Sequence, residues 1–215
     1  MRTIELHKSV TASNDRDADL LRGQMRTTGQ LLINLMSSPG SGKTSLLTRT
    51  IQDMTDVSIA VLEADIASDV DALRIEALGA RSIQAHTDGM CHMDAGMTRR
   101  SLEALAAEPG GNSQESAGRE ELIFLENVGN LICPAEFDTG AGLDVMILSV
   151  PEGDDKPLKY PLMFSRAHAL VITKTDTLSY FDFDLRACMD RVRKLNPKIR
   201  AFPVSAKTGE GMEAW

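Results

Sequence analysis

LLINLMSSPGSGKTSLLTRTI, residues 31–51, decides the fold. An apolar run, Leu31–Met36, enters a Ser/Pro/Gly turn, and Gly42-Lys43-Thr44 opens a second apolar run with helical spacing. Strand, loop and helix in that order are what a phosphate-binding P-loop requires. Backbone N–H groups of Gly40, Ser41, Gly42 and Ser45, together with the positive end of the helix, would cradle phosphate oxygens. Lys43 would reach the β- and γ-phosphates, and the Thr44 hydroxyl would hold Mg²⁺. Ser37 stands where the pattern G-x-x-x-x-G-K-S/T has its first glycine.

Working outward, apolar runs alternate with helical patterns. Strands are expected at 31–36, 57–63, 81–85, 121–126, 144–150, 169–173 and 199–204, and helices at 43–54, 69–78, 92–107, 157–165 and 182–195. Several strands are unbroken Val/Ile/Leu runs, as when helices cover both faces of a parallel sheet. An α/β P-loop NTPase fold with a mostly parallel sheet and helices on both faces follows. Residues 1–29 read as an N-terminal arm, with a short strand or extended piece and then a helix at 17–27. Asn14-Asp15-Arg16-Asp17 forms the break, and residues 30–215 form the nucleotide-binding domain. PGGNSQESAG, residues 109–118, reads as a surface loop, and GEGMEAW begins a helical pattern at the last residues given.

The bulk numbers bound the rest. The 215 residues suit one domain with a single sizeable core, built on Leu, Ile, Val, Ala and Met because only one Trp, two Tyr and six Phe are present. A net charge of −8 argues against nucleic acid or an anionic membrane as partner. With no apolar run of spanning length and no leader pattern, a cytoplasmic protein is expected. Three cysteines do not make a disulfide framework.

Thr173-Lys174-Thr175-Asp176 directly follows the strand ALVIT. A carboxylate there can accept from guanine N1–H and the 2-amino group, which adenine lacks, so Asp176 selects GTP or GDP. The usual Asn is Thr173, which leaves open what that amide would otherwise hold. Ser205-Ala206-Lys207 follows the last strand: an N–H at Ala206 would read guanine O6 and the Lys207 stem would pack on the base. Asp65 and Glu126 stand after strands, at the ends where open α/β sheets bind ligands. Asp65 would hold Mg²⁺ directly or through water, and Ser68 would offer a hydroxyl to a first switch. Glu126 with Gly129 has the form of an ExxG switch whose glycine N–H senses the γ-phosphate. Lys43, Asp65 and Glu126 are therefore the expected catalytic set. No glutamine is placed to orient water, so turnover should be slow.

Cys91-His92 opens a helical pattern, and Cys133 follows the second switch. Two thiolates and an imidazole suit Ni²⁺, Zn²⁺ or Cu(I). The fourth position is open to water, Asp94 or a second subunit. Met93 and Met97, spaced i, i+4, read as a core stripe, Cys188 as packing, His86 and His168 as structural, and Asp182 and Asp184 as a helix start.

SSPGSGKT, EADIASDVDALRI, CHMDA, ENVGNLICP and TKTD occur in the order found in the HypB family, nickel-insertion GTPases of hydrogenase maturation. The resemblance runs from about Asn14 to Met212. It implies a SIMIBI-class GTPase that uses GTP and Mg²⁺ and dimerises with GTP. It also implies Ni²⁺ (or Zn²⁺) at Cys91, His92 and Cys133, and hydrogenase-maturation proteins as partners. Lys43, Thr44, Asp65, Asp176 and Lys207 match nucleotide positions of the family. The CxxCGC motif and His-rich tract of some members do not occur in these residues, so N-terminal nickel binding and storage are not implied. Three rivals are weighed. A urease-type nickel GTPase would place Cys, Pro and His together, whereas here Cys91-His92 and Cys133-Pro134 are apart. A metal-free regulatory GTPase would act through protein binding alone. A small-molecule kinase would need an Arg-rich lid, and none is evident.

Overall fold

The computed structural model describes residues 6–64, 69–85, 87, 89–107 and 122–215. Among them one sheet takes the order β3-β2-β4-β1-β5-β6-β7, from β1 (Leu31–Ser37), β2 (Ile59–Glu63), β3 (Arg81–Gln84), β4 (Leu122–Glu126), β5 (Leu143–Ser149), β6 (Ala169–Thr173) and β7 (Arg200–Pro203). Every neighbouring pair is parallel. The helices are α1 (Leu6–Thr28), α2 (Lys43–Asp53), α3 (Asp69–Glu76), α4 (Ala95–Ala107), α5 (Cys133–Glu136), α6 (Lys156–Lys159), α7 (Pro161–Arg166) and α8 (Leu185–Leu195).

Side chains alternate across the sheet, so β1 serves both faces. Ile33 and Leu35 join Val61, Phe124, Ile147 and Val171 beneath Leu46, Leu47 and Ile51 of α2. On the other face the apolar packing divides. Leu32 lies with Leu62, Ile123 and Leu125 under Leu21 and Met25 of α1 and Leu105 of α4. Met36 lies with Met146, Leu148 and Ile172 under Phe164 of α7 and Val192 of α8. Asn34, between Leu32 and Met36, is buried at that division and donates to Asp144 Oδ1 at 2.8 Å.

The elements agree with the sequence reading to within a few residues, with three instructive departures. Helix α1 runs through Asn14–Asp17 without a break and already begins at Leu6, where an arm was expected. Asn14 is buried: its Nδ2 donates to Asp138 O at 2.9 Å and its Oδ1 accepts from Ala95 N at 3.0 Å. Two tertiary hydrogen bonds outweigh the few tenths of a kcal/mol by which Asn disfavours a helix interior. The helix expected at 157–165 is two, α6 and α7, because Pro161 forces Tyr160 out of helical geometry (φ −127°, ψ 55°). Residues 206–214 form turns rather than a helix. Helices α4 and α8 start later than expected, after Asp94 and Asp184, whose carboxylates accept from Met97 N and Ala187 N. The surface loop expected at 109–118 lies outside the described residues.

Burial holds the Asp144 carboxyl above the usual carboxylate range, with Asp138 adding to the effect; the Asn34 amide, His168 and Arg22 oppose it. A carboxyl that keeps its proton more tightly when folded loses stability as pH rises from the unfolded value of 3.8 upward. Asp144→Asn retains the acceptor for Asn34 and removes the charge. Urea denaturation should therefore show the variant more stable than the parent at pH 7, with the difference shrinking toward pH 4. A pH-independent difference would contradict this account.

Candidate nucleotide and metal site

Ser37, the last residue of β1, is buried, and the chain then turns through Gly40 (φ 71°) and Gly42 (φ 94°, ψ 27°) into α2. Gly42 is the N-cap residue in a left-handed conformation that a side chain would strain. No side chain caps α2, so its first N–H groups face the loop for an incoming anion. Lys43 is buried, its Nζ 3.2 Å from Ser37 Oγ and 4.0 Å from Glu126 Oε1. Thr44 Oγ1 donates to the same Glu126 oxygen at 3.3 Å, while Ser45 is exposed in the first turn of α2. Ser41 Oγ is buried with no hydrogen-bond partner among the described residues, an orphan that a phosphate oxygen or water would satisfy. The register sets Leu35 and Glu63 beside Glu126, so P-loop and switch rise from neighbouring strand ends. Asp65 and Ser68 lie outside the described residues.

The TKTD and SAK segments meet the P-loop from the other side. Thr173 Oγ1 donates to Ser41 O at 2.6 Å, and Lys174 Nζ donates to Gly40 O at 2.8 Å. The hydroxyl at position 173 therefore ties the end of β6 to the P-loop. Lys174 adopts φ 60°, the one positive φ at a non-glycine among the described residues. Such strain persists where the surroundings impose it, and here the Gly40 contact does. Asp176 Oδ1 accepts from Ser205 Oγ at 2.8 Å, so TKTD and SAK share one corner. Arg49 of α2 donates to Ala206 O at 3.4 Å, and Lys207 is exposed.

Cys91, His92 and Cys133 converge with all their ligand atoms within 4.8 Å of one another. The two Sγ atoms are 2.6 Å apart, and Cys91 Sγ lies 3.9 Å from His92 Nδ1. Both cysteines are free thiols. The Cys91 contact and burial raise the Cys133 pKa. The His92 ring is buried and stacks on Phe137, centroids 3.8 Å apart and planes 12° apart. Burial lowers its pKa against the pull of Asp94 and Glu136, favouring the neutral imidazole a metal needs. Two soft sulfurs and one neutral imidazole fit a nickel or zinc ion. Asp94 is outside this cluster; its carboxylate caps α4. Asn130 Oδ1 accepts from Ile132 N and Cys133 N, and Arg166 donates to Ala135 O at 2.6 Å, which fixes the turn that presents Cys133.

The roles of Phe137, Asn14 and Asn127 escaped the sequence reading, which took Asn14 as part of a break and Asn127 only as part of ENVGNLICP. Phe137 stands four residues after Cys133 and could have been suspected on spacing alone, whereas the two asparagines carry no local signal. Met93 is fully buried and Met97 packs against the same apolar cluster, as expected of a core stripe, whereas Met90 is exposed. Cys188 is fully buried in the core, which pushes its thiol up to about 12. His168 Nδ1 accepts from Asp144 N at 2.9 Å, a structural role as expected. His86 lies outside the described residues.

The sequence model of the family described as CobW/HypB/UreG, nucleotide-binding domain, matches residues 31–203. The hydrogenase maturation factor HypB of Rhizobium leguminosarum bv. viciae is 46% identical over 215 residues, all of this chain and 69% of the relative. The crystal structure of HypB from Helicobacter pylori in complex with nickel superposes with a TM-score of 0.85 at 35% identity, covering 94% of this chain and 91% of that one. The hydrogenase maturation factor HypB from Archaeoglobus fulgidus gives a TM-score of 0.84 at 33% identity, with 95% of each chain covered.

The His92–Phe137 stack yields a direct expectation. Phe137→Ala removes an aromatic contact worth about 0.5–1.5 kcal/mol and frees the ring to turn. Nickel affinity by competition titration should fall at least severalfold with the three donors intact, and Phe137→Tyr should restore it. Unchanged affinity in Phe137→Ala would show that the ring needs no such support.

Proposed function

The chain belongs to the HypB family of hydrogenase maturation factors, and from that we propose that it is a slow GTPase that controls the delivery of nickel. Nickel is its cargo, and GTP with Mg²⁺ is its timer. Lys43 binds the β- and γ-phosphates, helped by N–H groups of Gly40, Ser41, Gly42 and Ser45. Thr44 and Asp65 supply oxygen donors suited to Mg²⁺. Asp176 selects guanine, Ala206 N–H and Ser205 support the same edge, and the Lys174 and Lys207 stems flank the base. Glu126 and Gly129 respond to the γ-phosphate. Cys91, His92 and Cys133 hold the nickel ion, whose donor set also suits zinc. A GTP-dependent homodimer and hydrogenase-maturation proteins that receive the metal complete the reading, with the cytoplasm as its compartment. No helix among the described residues is long and apolar enough to cross a membrane.

One observation carries this reading. The segment 126–133 begins at Glu126, hydrogen-bonded to Thr44, and ends at Cys133, against Cys91, with only six residues between. Gly129 lies so close to the P-loop that a Cβ there would come within 3.1 Å of Pro39. Phosphate sensor and metal thiol therefore share one short loop packed on the nucleotide site.

The test is the nickel dissociation constant with GDP and with a non-hydrolysable GTP analogue. A coupling of ~1–3 kcal/mol would separate the two values 5–150-fold, and equal values would remove the reading. Guanine selection is tested separately. Asp176→Asn should weaken GTP binding by roughly tenfold or more, since a buried polar mismatch costs ~1–3 kcal/mol, and should leave ATP binding as weak as in the parent.

A further inference from the structure

We infer that Asn127 is the positioning residue that carries the state of the nucleotide loop to the Cys91-His92 half of the metal site; the inference rests on the nickel-delivery reading above. Cys133 moves with the 126–133 loop because it belongs to it. Cys91 and His92 do not, since they lie on the segment before α4. A loop movement that shifted Cys133 alone would leave the other two donors behind. The donors themselves touch across the two segments, Cys91 against Cys133 and His92 stacked on Phe137, and one further side chain joins the two backbones.

Asn127 is fully buried. Its Oδ1 accepts from Val128 N at 2.9 Å, within the loop, and from Met93 N at 3.2 Å, the residue directly after His92. A single oxygen thus holds the switch backbone and the metal-bearing backbone together. Its Nδ2 donates to Asn34 Oδ1 at 3.0 Å, and Asn34 in turn donates to Asp144 Oδ1 at 2.8 Å. Both of those residues sit inside strands, in β1 and β5, so the amide is held from the rigid side. Asn127 N also donates to Leu35 O at 3.1 Å, which keeps the residue's own backbone in the sheet. The side chain is therefore a fixed post. Rotation of the Val128 peptide withdraws one of the two donors on Oδ1, and the bond to Met93 N changes in strength and direction with it.

The residue type matches this task. Asparagine supplies an acceptor with two lone pairs on one side and a donor on the other. Aspartate keeps the acceptor and loses the donor to Asn34; serine is too short to reach both segments. Other contacts hold the far side of the metal segment irrespective of the loop. Asp94 caps α4 through Met97 N, and Asn14 accepts from Ala95 N. Met93 N is the backbone contact that joins the metal segment to the residue directly after Glu126.

Nickel dissociation constants for the parent, Asn127→Ser and Asn127→Asp, each with GDP and with a non-hydrolysable GTP analogue, decide the matter. The parent should show the 5–150-fold difference between nucleotide states. Asn127→Ser should bring that ratio to within about twofold of one while nickel–thiolate absorption still develops, and Asn127→Asp should recover part of the ratio. Asn127→Ser with the parent's ratio overturns the inference. So does a variant that is less thermostable and weaker for nickel by the same factor in both states, because that is the signature of a merely structural role. A parent ratio of one removes the delivery reading itself and the inference with it, an outcome distinguishable from the other two. Should the variants not fold, amide hydrogen exchange in the unmodified chain serves instead. Protection of Met93 N–H should differ severalfold between the two nucleotide states, and equal protection overturns the inference.

Discussion

Parallel pairing is the constraint on which the site depends. When neighbouring strands all run one way, each one delivers its following loop to the same edge of the sheet. The P-loop after β1, Glu126 at the end of β4, and TKTD at the end of β6 therefore meet without any element being bent toward the others. The chain leaves β1 toward β2 and β3, returns to β4, and then crosses to β5, so β1 lies between strands reached in opposite directions. The crevice left at that reversal is where Lys43, Thr44 and Glu126 come within hydrogen-bonding or ion-pair reach. Helix α2 starts there with its N–H groups uncapped, so the electrostatics of the site are a by-product of the topology.

The cost of that arrangement is polar atoms carried deep into the interior, and the structure meets it with buried amides. Asn34, Asn127 and Asn14 are each buried, and each has both amide atoms paired. An unpaired amide at such a depth costs about 1–3 kcal/mol, so these pairings are conditions of folding as well as of geometry. They also fix position in a way apolar contacts cannot. Leu32 and Met36 on either side of Asn34 could slide a little within their clusters, but the chain of donors from Asn127 through Asn34 to Asp144 has one register. Helix α1 is tied to the same region, with Arg22 donating to both Asp138 carboxylate oxygens at 2.8 Å and to Ala141 O at 2.9 Å.

What was legible in the sequence follows from range. Strands read as Val/Ile/Leu runs because burial on both faces leaves a local signature, and GKT and TKTD are read from adjacent residues. The N-terminal helix was misjudged at Asn14 because its reasons for being helical lie at Asp138 and Ala95, far along the chain. Thr173 could be flagged as irregular, yet its partner Ser41 O is known only from the fold. Cys91, His92 and Cys133 were found as residue types and shown to converge only in three dimensions. Phe137 and Asn127 were missed for a further reason. Asn127 stands inside ENVGNLICP, but a residue that orients a ligand, or holds the backbone beside one, bears no chemistry of its own from which that role could be read. The expectations for Asp65 and Ser68 fall outside the described residues and remain expectations.

The two ends of the 126–133 loop differ in chemistry in a way that argues for their joint use. At one end stand the oxygen atoms of Thr44 and Glu126, suited to a hard cation; at the other stand two sulfurs and an imidazole, suited to a soft or borderline metal. Neither set is matched to the other's ion, so the two can stand at opposite ends of one short segment. The intervening residues are not slack. Gly129 abuts Pro39, Asn130 pins the Cys133 turn, and Asn127 holds Met93. A loop tethered at each step transmits a displacement rather than absorbing it. A free linker of the same length would dissipate the same displacement in its own dihedrals.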